Sequence, residues 1–160
     1  GRVKLARRRK LNYAEIKQQA EEYFNEKFEN AENKLTVAHF TYEKELYTES
    51  IFNLHQACEN LYYAIRLVFT LTSNKQHNLS KLSSSVKSYS PDLANVFPLH
   101  PAEEKRLFDL IKAAYVEARY NPKFVVTKED IDALIPKVEL LRDITKSICE
   151  SKIREYGEKR

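Results

Sequence analysis

The sequence contains very little glycine: Gly1 and Gly157 are the only two among 160 residues. Loops that cradle phosphates need glycine, because their backbone must approach the ligand closely and adopt positive φ angles. Tight β-hairpins have a similar requirement. The scarcity of glycine therefore excludes Walker and dinucleotide-binding fingerprints, and it disfavours an all-β or α/β fold.

Cysteine is equally scarce, and Cys58 and Cys149 are the only two. Neither belongs to a CxxC motif or to a Cys/His cluster, so the sequence indicates no structural zinc and we expect no cofactor. Two isolated cysteines in helical patterns are more typical of a reducing compartment than of a disulfide, which leads us to expect a cytoplasmic protein. No apolar run reaches the roughly 18 residues of a membrane span, and we expect no membrane partner.

Methionine is absent, although translation normally begins with it, and the chain starts at Gly1. We therefore expect an excised fragment or a processed chain. The first ten residues hold six basic residues and no acid, and the rest of the chain holds 21 basic and 23 acidic residues. Residues 1–12 are interpreted as a basic arm that either contacts nucleic acid or forms a solvated interdomain linker.

Apolar residues recur at intervals of three and four along most of the chain, a spacing typical of amphipathic α-helices. The pattern predicts one long helix over 13–45 and a second over 46–70, and the second is apolar on several sides, as central helices are. Residues 72–78 have the composition of a loop, in which Asn78 caps a short helix. Ser90-Pro91 begins another short helical turn.

Proline and capping residues mark the remaining helices. Pro101 opens a long helix and Pro122 ends it. A Thr-x-x-Asp capping box at Thr127 begins the last helix, which Pro136 should kink or divide in two. Together these patterns predict an all-α domain over 13–160, an up-and-down antiparallel bundle of four long helices and one or two short ones.

The stretch LHQACENLYYA, residues 54–64, introduces polar groups into an otherwise apolar helix. His55 and Glu59 lie one turn apart, and Tyr62 follows in the same sector. One interpretation is a polar seam between helices that binds a ligand or transfers protons. The other is a hydrogen-bonded network that only stabilises the bundle.

The stretch AYVEARY, residues 114–120, has the same ambiguity. Tyr115 and Arg119 share a helix face and Tyr120 follows directly. Arginine can bind phosphate through two N–H groups, and tyrosine can stack on a base. Alternatively, Arg119 pairs with Glu59 or with another acid inside the bundle.

His77 lies in the predicted loop, directly before the helix cap. A histidine at a helix N-terminus can contact phosphate or act as a general base, although most loop histidines do neither. No motif supports a nucleophilic triad or a metal site, since HExxH and GxSxG are both absent.

Three motifs in this order resemble the HEPN domain family: LHQACENLYYAIRLV at 54–68, HNLSKL at 77–82 and AYVEARYNPKFVVTKEDI at 114–131. The resemblance covers roughly residues 13–156. It is closest to the bacterial HEPN domains that follow a minimal nucleotidyltransferase domain in one polypeptide. It implies an antiparallel helical bundle that often forms a homodimer and has a nucleotide-related role.

Many HEPN proteins are metal-independent ribonucleases with an Arg-x4–6-His motif, and no arginine of this chain is followed by a histidine at that spacing. The resemblance therefore implies a non-catalytic domain that binds a nucleotide, a substrate or another phosphate-bearing ligand beside the transferase. Two alternatives remain open: a ribonuclease of toxin–antitoxin type with an atypical active site, and a purely structural dimerisation domain. The candidate ligand-binding residues are His55, Gln56, Glu59, Tyr62, His77, Tyr115, Arg119 and Tyr120.

Overall fold

The computed structural model describes residues 12–72 and 78–159, and within these ranges the regular structure is helical, with no β-strand. The helices are α1 (Tyr13–Glu43), α2 (Tyr47–Thr70), α3 (Leu79–Val86), α4 (Ala102–Tyr120) and α5 (Lys128–Glu158). Two 3₁₀ turns, Lys87–Tyr89 and Pro91–Asn95, connect α3 to α4. The predicted all-α fold with four long helices is confirmed. The predicted basic arm lies outside the described ranges except for its last residue.

Capping side chains fix where several helices begin. The Asn78 side chain accepts a hydrogen bond from the Lys81 backbone N–H at 3.0 Å and so starts α3, as predicted. At the start of α5, the Thr127 hydroxyl accepts from the Asp130 N–H at 3.1 Å, and the Asp130 carboxylate accepts from the Thr127 N–H at 3.0 Å. This reciprocal pair is the predicted capping box, which satisfies two backbone donors that would otherwise lack partners.

Helix α2 is the central helix and packs against α1, α3, α4 and α5. A tight turn joins it to α1, and the buried hydroxyls of Thr41 and Ser50 lie 2.8 Å apart between the two helices. Its buried apolar residues are spread over several faces, as the sequence predicts: Ile51, Leu54, Ala57, Cys58, Leu61, Ala64, Ile65 and Val68. None of the helices in the described part of the chain is long and apolar enough to cross a membrane.

The sequence predicts that Pro136 either kinks or divides the last helix. Helix α5 runs without interruption through Pro136, so the division does not occur. A proline inside a helix removes one backbone hydrogen bond and typically costs about 3 kcal/mol. Large apolar side chains are buried on both sides of it: Leu134, Ile135, Val138 and Leu141. Because burying each such side chain contributes roughly 1.5–3 kcal/mol, packing against the core outweighs the local cost of the proline.

Candidate functional site

Helix α2 and the C-terminal half of α4 bring together most of the predicted site residues. The α2 residues fall on successive turns of one helix face, and the α4 residues occupy the last two turns of that helix. Because α4 packs directly on α2, the two groups form one surface feature, here named the α2–α4 cluster. Its members are Phe52, His55, Gln56, Glu59, Tyr115, Arg119 and Tyr120.

His55 forms the buried end of the α2–α4 cluster, with 1% of its surface exposed. Its Nδ1 atom lies 3.2 Å from Oε1 of Gln56 and 3.9 Å from Oε2 of Glu59. Its ring packs against the ring of Tyr115, with centroids 5.2 Å apart and planes inclined by 36°. These contacts place His55 against its neighbours on α2 and against the ring of Tyr115 on α4.

Burial determines the charge of His55. Loss of hydration lowers its pKa to about 4, an effect that the hydrogen bond to Gln56 opposes and the positive charge of Arg119 reinforces. The imidazole is therefore neutral at pH 7, and its contact with Glu59 is a polar contact rather than an ion pair. A base this weak suits hydrogen bonding better than proton transfer near neutral pH.

Arg119 forms the exposed end of the cluster. Its Nε donates a hydrogen bond to the backbone carbonyl of Tyr115 at 2.8 Å. Its Cζ lies 4.3 Å from the ring centroid of Tyr115, 5.0 Å from that of Tyr120 and 5.6 Å from that of Phe52. Cation–π attraction to three rings holds the guanidinium in place on the surface.

No carboxylate in residues 12–72 or 78–159 forms a salt bridge with Arg119, so the pairing of Arg119 with Glu59 considered above does not occur. The guanidinium keeps its formal charge without a neutralising acid on the described surface. An arginine of this kind can bind phosphate through parallel N–H groups, and the adjacent rings can stack on a base.

Tyr62 lies away from the cluster, in the core between α2 and α3. It is 1% exposed, and burial raises its pKa, an effect that the neighbouring Ser83 on α3 opposes. These are the surroundings of a core residue. Helical spacing alone placed it in the same sector as His55, but α3 covers that part of the sector.

His77 lies outside the described residues, and its suggested role in binding stays a prediction. Phe52, by contrast, is a cluster member that the sequence patterns do not single out. Its ring is half-buried and faces Arg119. The available signal was its position three residues before His55 and four before Gln56, which places all three on one helix face.

Comparison with known protein families gives a match over most of the chain. The model of the HEPN domain matches residues 24–148, a range that begins within α1 and ends within α5. It therefore includes every residue of the α2–α4 cluster. A search of curated proteins found no match.

Proposed function

This chain belongs to the HEPN domain family, and from that premise we propose that it is a non-catalytic module that binds a nucleotide or another phosphate-bearing ligand. The observation that carries the proposal is the environment of Arg119. Its guanidinium is exposed, is held against three aromatic rings, and has no carboxylate partner in the described ranges. Buried structural arginines normally have such a partner, whereas phosphate-binding arginines present free N–H donors.

The exposure of each ring indicates which part of the ligand each side chain of the cluster contacts. Tyr120 is 72% exposed, so its ring offers the larger surface for stacking on a base. Tyr115 is half-buried between His55 and Arg119 and fixes their positions. In this proposal Arg119 contacts the phosphate, Tyr120 stacks on the base, and His55 adds a hydrogen bond at the buried end.

The ribonuclease alternative has one supporting observation: Arg119 lies close enough to His55 to lower its pKa. The low pKa of His55, about 4, weighs against it, because so weak a base abstracts a proton from the 2′-hydroxyl of RNA poorly near neutral pH. The Arg-x4–6-His motif is also absent from the chain. Binding therefore agrees better than RNA cleavage with the geometry of the cluster.

We also propose that the module acts beside a nucleotidyltransferase domain of the same polypeptide. The support is the similarity of its three motifs to the HEPN domains that follow such transferases. The sequence immediately upstream in the parent gene tests this directly. A Gly-Ser motif followed by paired aspartates agrees with the proposal, and any other kind of upstream domain contradicts it.

We also propose that the chain forms a homodimer. HEPN domains commonly dimerise. On the outer side of α4, Val116 is 53% exposed and provides apolar surface for a second copy. The ligand-binding cluster would then border the dimer interface.

Isothermal titration calorimetry with ATP, GTP and other nucleotides tests the binding proposal. We expect saturable binding of at least one nucleotide and a loss of affinity of about tenfold or more in Arg119→Ala, since a hydrogen bond to a charged group contributes about 1.5–3 kcal/mol. Arg119→Lys keeps the charge but loses the paired donors, so its affinity should lie between that of the parent and that of Arg119→Ala.

Arg154→Ala is the matched control, because it removes an exposed arginine from the groove between α1 and α5. It should bind like the parent. The absence of heat with every nucleotide, or an Arg119→Ala variant that binds as tightly as the parent, contradicts the proposal.

A further inference from the structure

The atoms around Nδ1 of His55 specify which ring nitrogen carries the proton. The two polar atoms near it are both oxygens, Oε1 of Gln56 at 3.2 Å and Oε2 of Glu59 at 3.9 Å. An amide oxygen and a carboxylate oxygen accept hydrogen bonds and do not donate them. Gln56 therefore requires a proton on Nδ1, and the negative charge of Glu59 favours the same arrangement.

A neutral imidazole that is protonated at Nδ1 has a lone pair on Nε2. Within residues 12–72 and 78–159, Nε2 of His55 has no hydrogen-bond partner, although the side chain is 1% exposed. A second proton on the ring is disfavoured by burial and by the charge of Arg119.

We infer that Gln56 and Glu59 are positioning residues that hold His55 in the Nδ1–H tautomer, so that Nε2 accepts a hydrogen bond from an amino or hydroxyl group of the ligand. This inference rests on the proposed function and narrows the class of ligand. The ligand needs an anionic group for Arg119 and a hydrogen-bond donor for His55. A nucleotide meets both needs through its phosphate together with either an exocyclic amine or a ribose hydroxyl.

The same geometry disfavours a fully ionised phosphate at the His55 end of the cluster. A dianionic phosphate and the Nε2 lone pair are both acceptors, so no hydrogen bond can form between them. Arg119 therefore contacts the phosphate, and His55 accepts a hydrogen bond from the uncharged part of the ligand. A bound ligand therefore has one orientation, with its phosphate at the exposed end of the cluster and its hydrogen-bond donor at the buried end.

Long-range ¹H–¹⁵N correlation spectra of the imidazole rings test the tautomer in the whole chain at pH 7, without any ligand. We expect a proton on Nδ1 of His55 in the parent. Gln56→Glu keeps an acceptor and should keep this tautomer. The double variant Gln56→Leu/Glu59→Leu removes both acceptors and should move the proton towards Nε2.

Gln19→Leu is the control, because it removes the side-chain amide of another glutamine, whose Nε2 donates a hydrogen bond to the Tyr23 hydroxyl on α1. It should leave the His55 spectrum unchanged. A proton on Nε2 in the parent overturns the inference, and so does a folded double variant whose tautomer is unchanged. If the double variant does not fold, the tautomer of the parent decides.

Calorimetry with AMP, IMP, 2′-deoxy-AMP and 3′-deoxy-AMP tests the requirement for a donor. IMP replaces the exocyclic amine with a carbonyl acceptor and gains an N1–H donor, and each deoxy analogue lacks one hydroxyl. We expect at least one analogue to bind about tenfold more weakly than AMP, and the difference to disappear in His55→Phe, which has no acceptor. Weaker binding of IMP assigns the amine, and weaker binding of a deoxy analogue assigns that hydroxyl.

The outcomes separate this inference from the proposed function. Equal affinity for all four nucleotides overturns the donor requirement and leaves nucleotide binding intact. A difference that persists in His55→Phe also overturns it. If none of the four binds, the proposed function and the donor requirement both fail, and the tautomer is judged by the spectra alone.

Discussion

At the scale of single residues, His55 illustrates how burial sets the chemistry of a side chain. Its pKa falls to about 4 in the folded protein, because the charged ring would lose its hydration there. An unfolded histidine titrates near 6.5. Between these values the unfolded chain binds more protons than the folded protein, so stability falls as the pH drops from about 6.5 to about 4. The ionisable neighbours of His55 in the cluster are Glu59 on α2 and Tyr115 and Arg119 on α4.

We predict that His55 alone lowers the free energy of unfolding by up to about 3 kcal/mol between pH 7 and pH 4, at about 1.4 kcal/mol per pKa unit. Carboxylates titrate over part of the same range. The informative comparison is therefore between the stability that the parent loses and the stability that His55→Gln, which has no titrating ring, loses between the two pH values. Urea denaturation at both pH values measures these losses. The parent should lose more stability than the variant, and equal losses contradict the assignment.

The sequence predicted which side chains share a helix face better than it predicted what surrounds them. Spacing of four residues correctly placed Tyr115 and Arg119 on one face, because neighbours one turn apart on a helix meet whatever packs around them. It could not show that α3 covers Tyr62, or that Phe52 faces Arg119. Those facts depend on which helix lies against which face of α2, and helical periodicity contains no information about that.

At the scale of secondary-structure elements, local sequence signals were sufficient to predict helix boundaries wherever a capping residue or a proline marks the boundary. The start of α3 at Asn78 and the capping box at Thr127 both depend on hydrogen bonds within four residues of chain, and both were predictable. The division predicted as one alternative at Pro136 does not occur, because long-range packing opposes the local effect of the proline. The buried side chains on either side of it keep α5 continuous.

In helix α3, packing against the core likewise outweighs a low intrinsic helix propensity. Three consecutive serines, Ser83–Ser85, are weak helix formers, yet all three are helical. Leu79, Leu82 and Val86 are buried on one face of this short helix. Their packing against the core, together with the Asn78 cap, stabilises the helix despite its serines.

At the scale of the whole molecule, the proposed homodimer predicts a single species of twice the mass of one chain by light scattering after size-exclusion chromatography. Val116→Glu should shift this species towards the monomer, because it places a charge on the exposed apolar surface of α4. Leu140→Glu is the control, since Leu140 is 44% exposed on α5. A monomeric parent, or a dimer that Val116→Glu leaves intact, contradicts the proposed surface.

The central claim is that the ligand binds at the α2–α4 cluster, and a ¹H–¹⁵N correlation titration locates binding on the whole molecule at once. The titrant is the nucleotide that binds most tightly in calorimetry. The largest shift changes should fall on the backbone amides of residues 52–59 and 115–120, with small changes over 143–154 on α5. The largest changes on α5 or on the outer face of α1, or no changes with any nucleotide, would contradict the account.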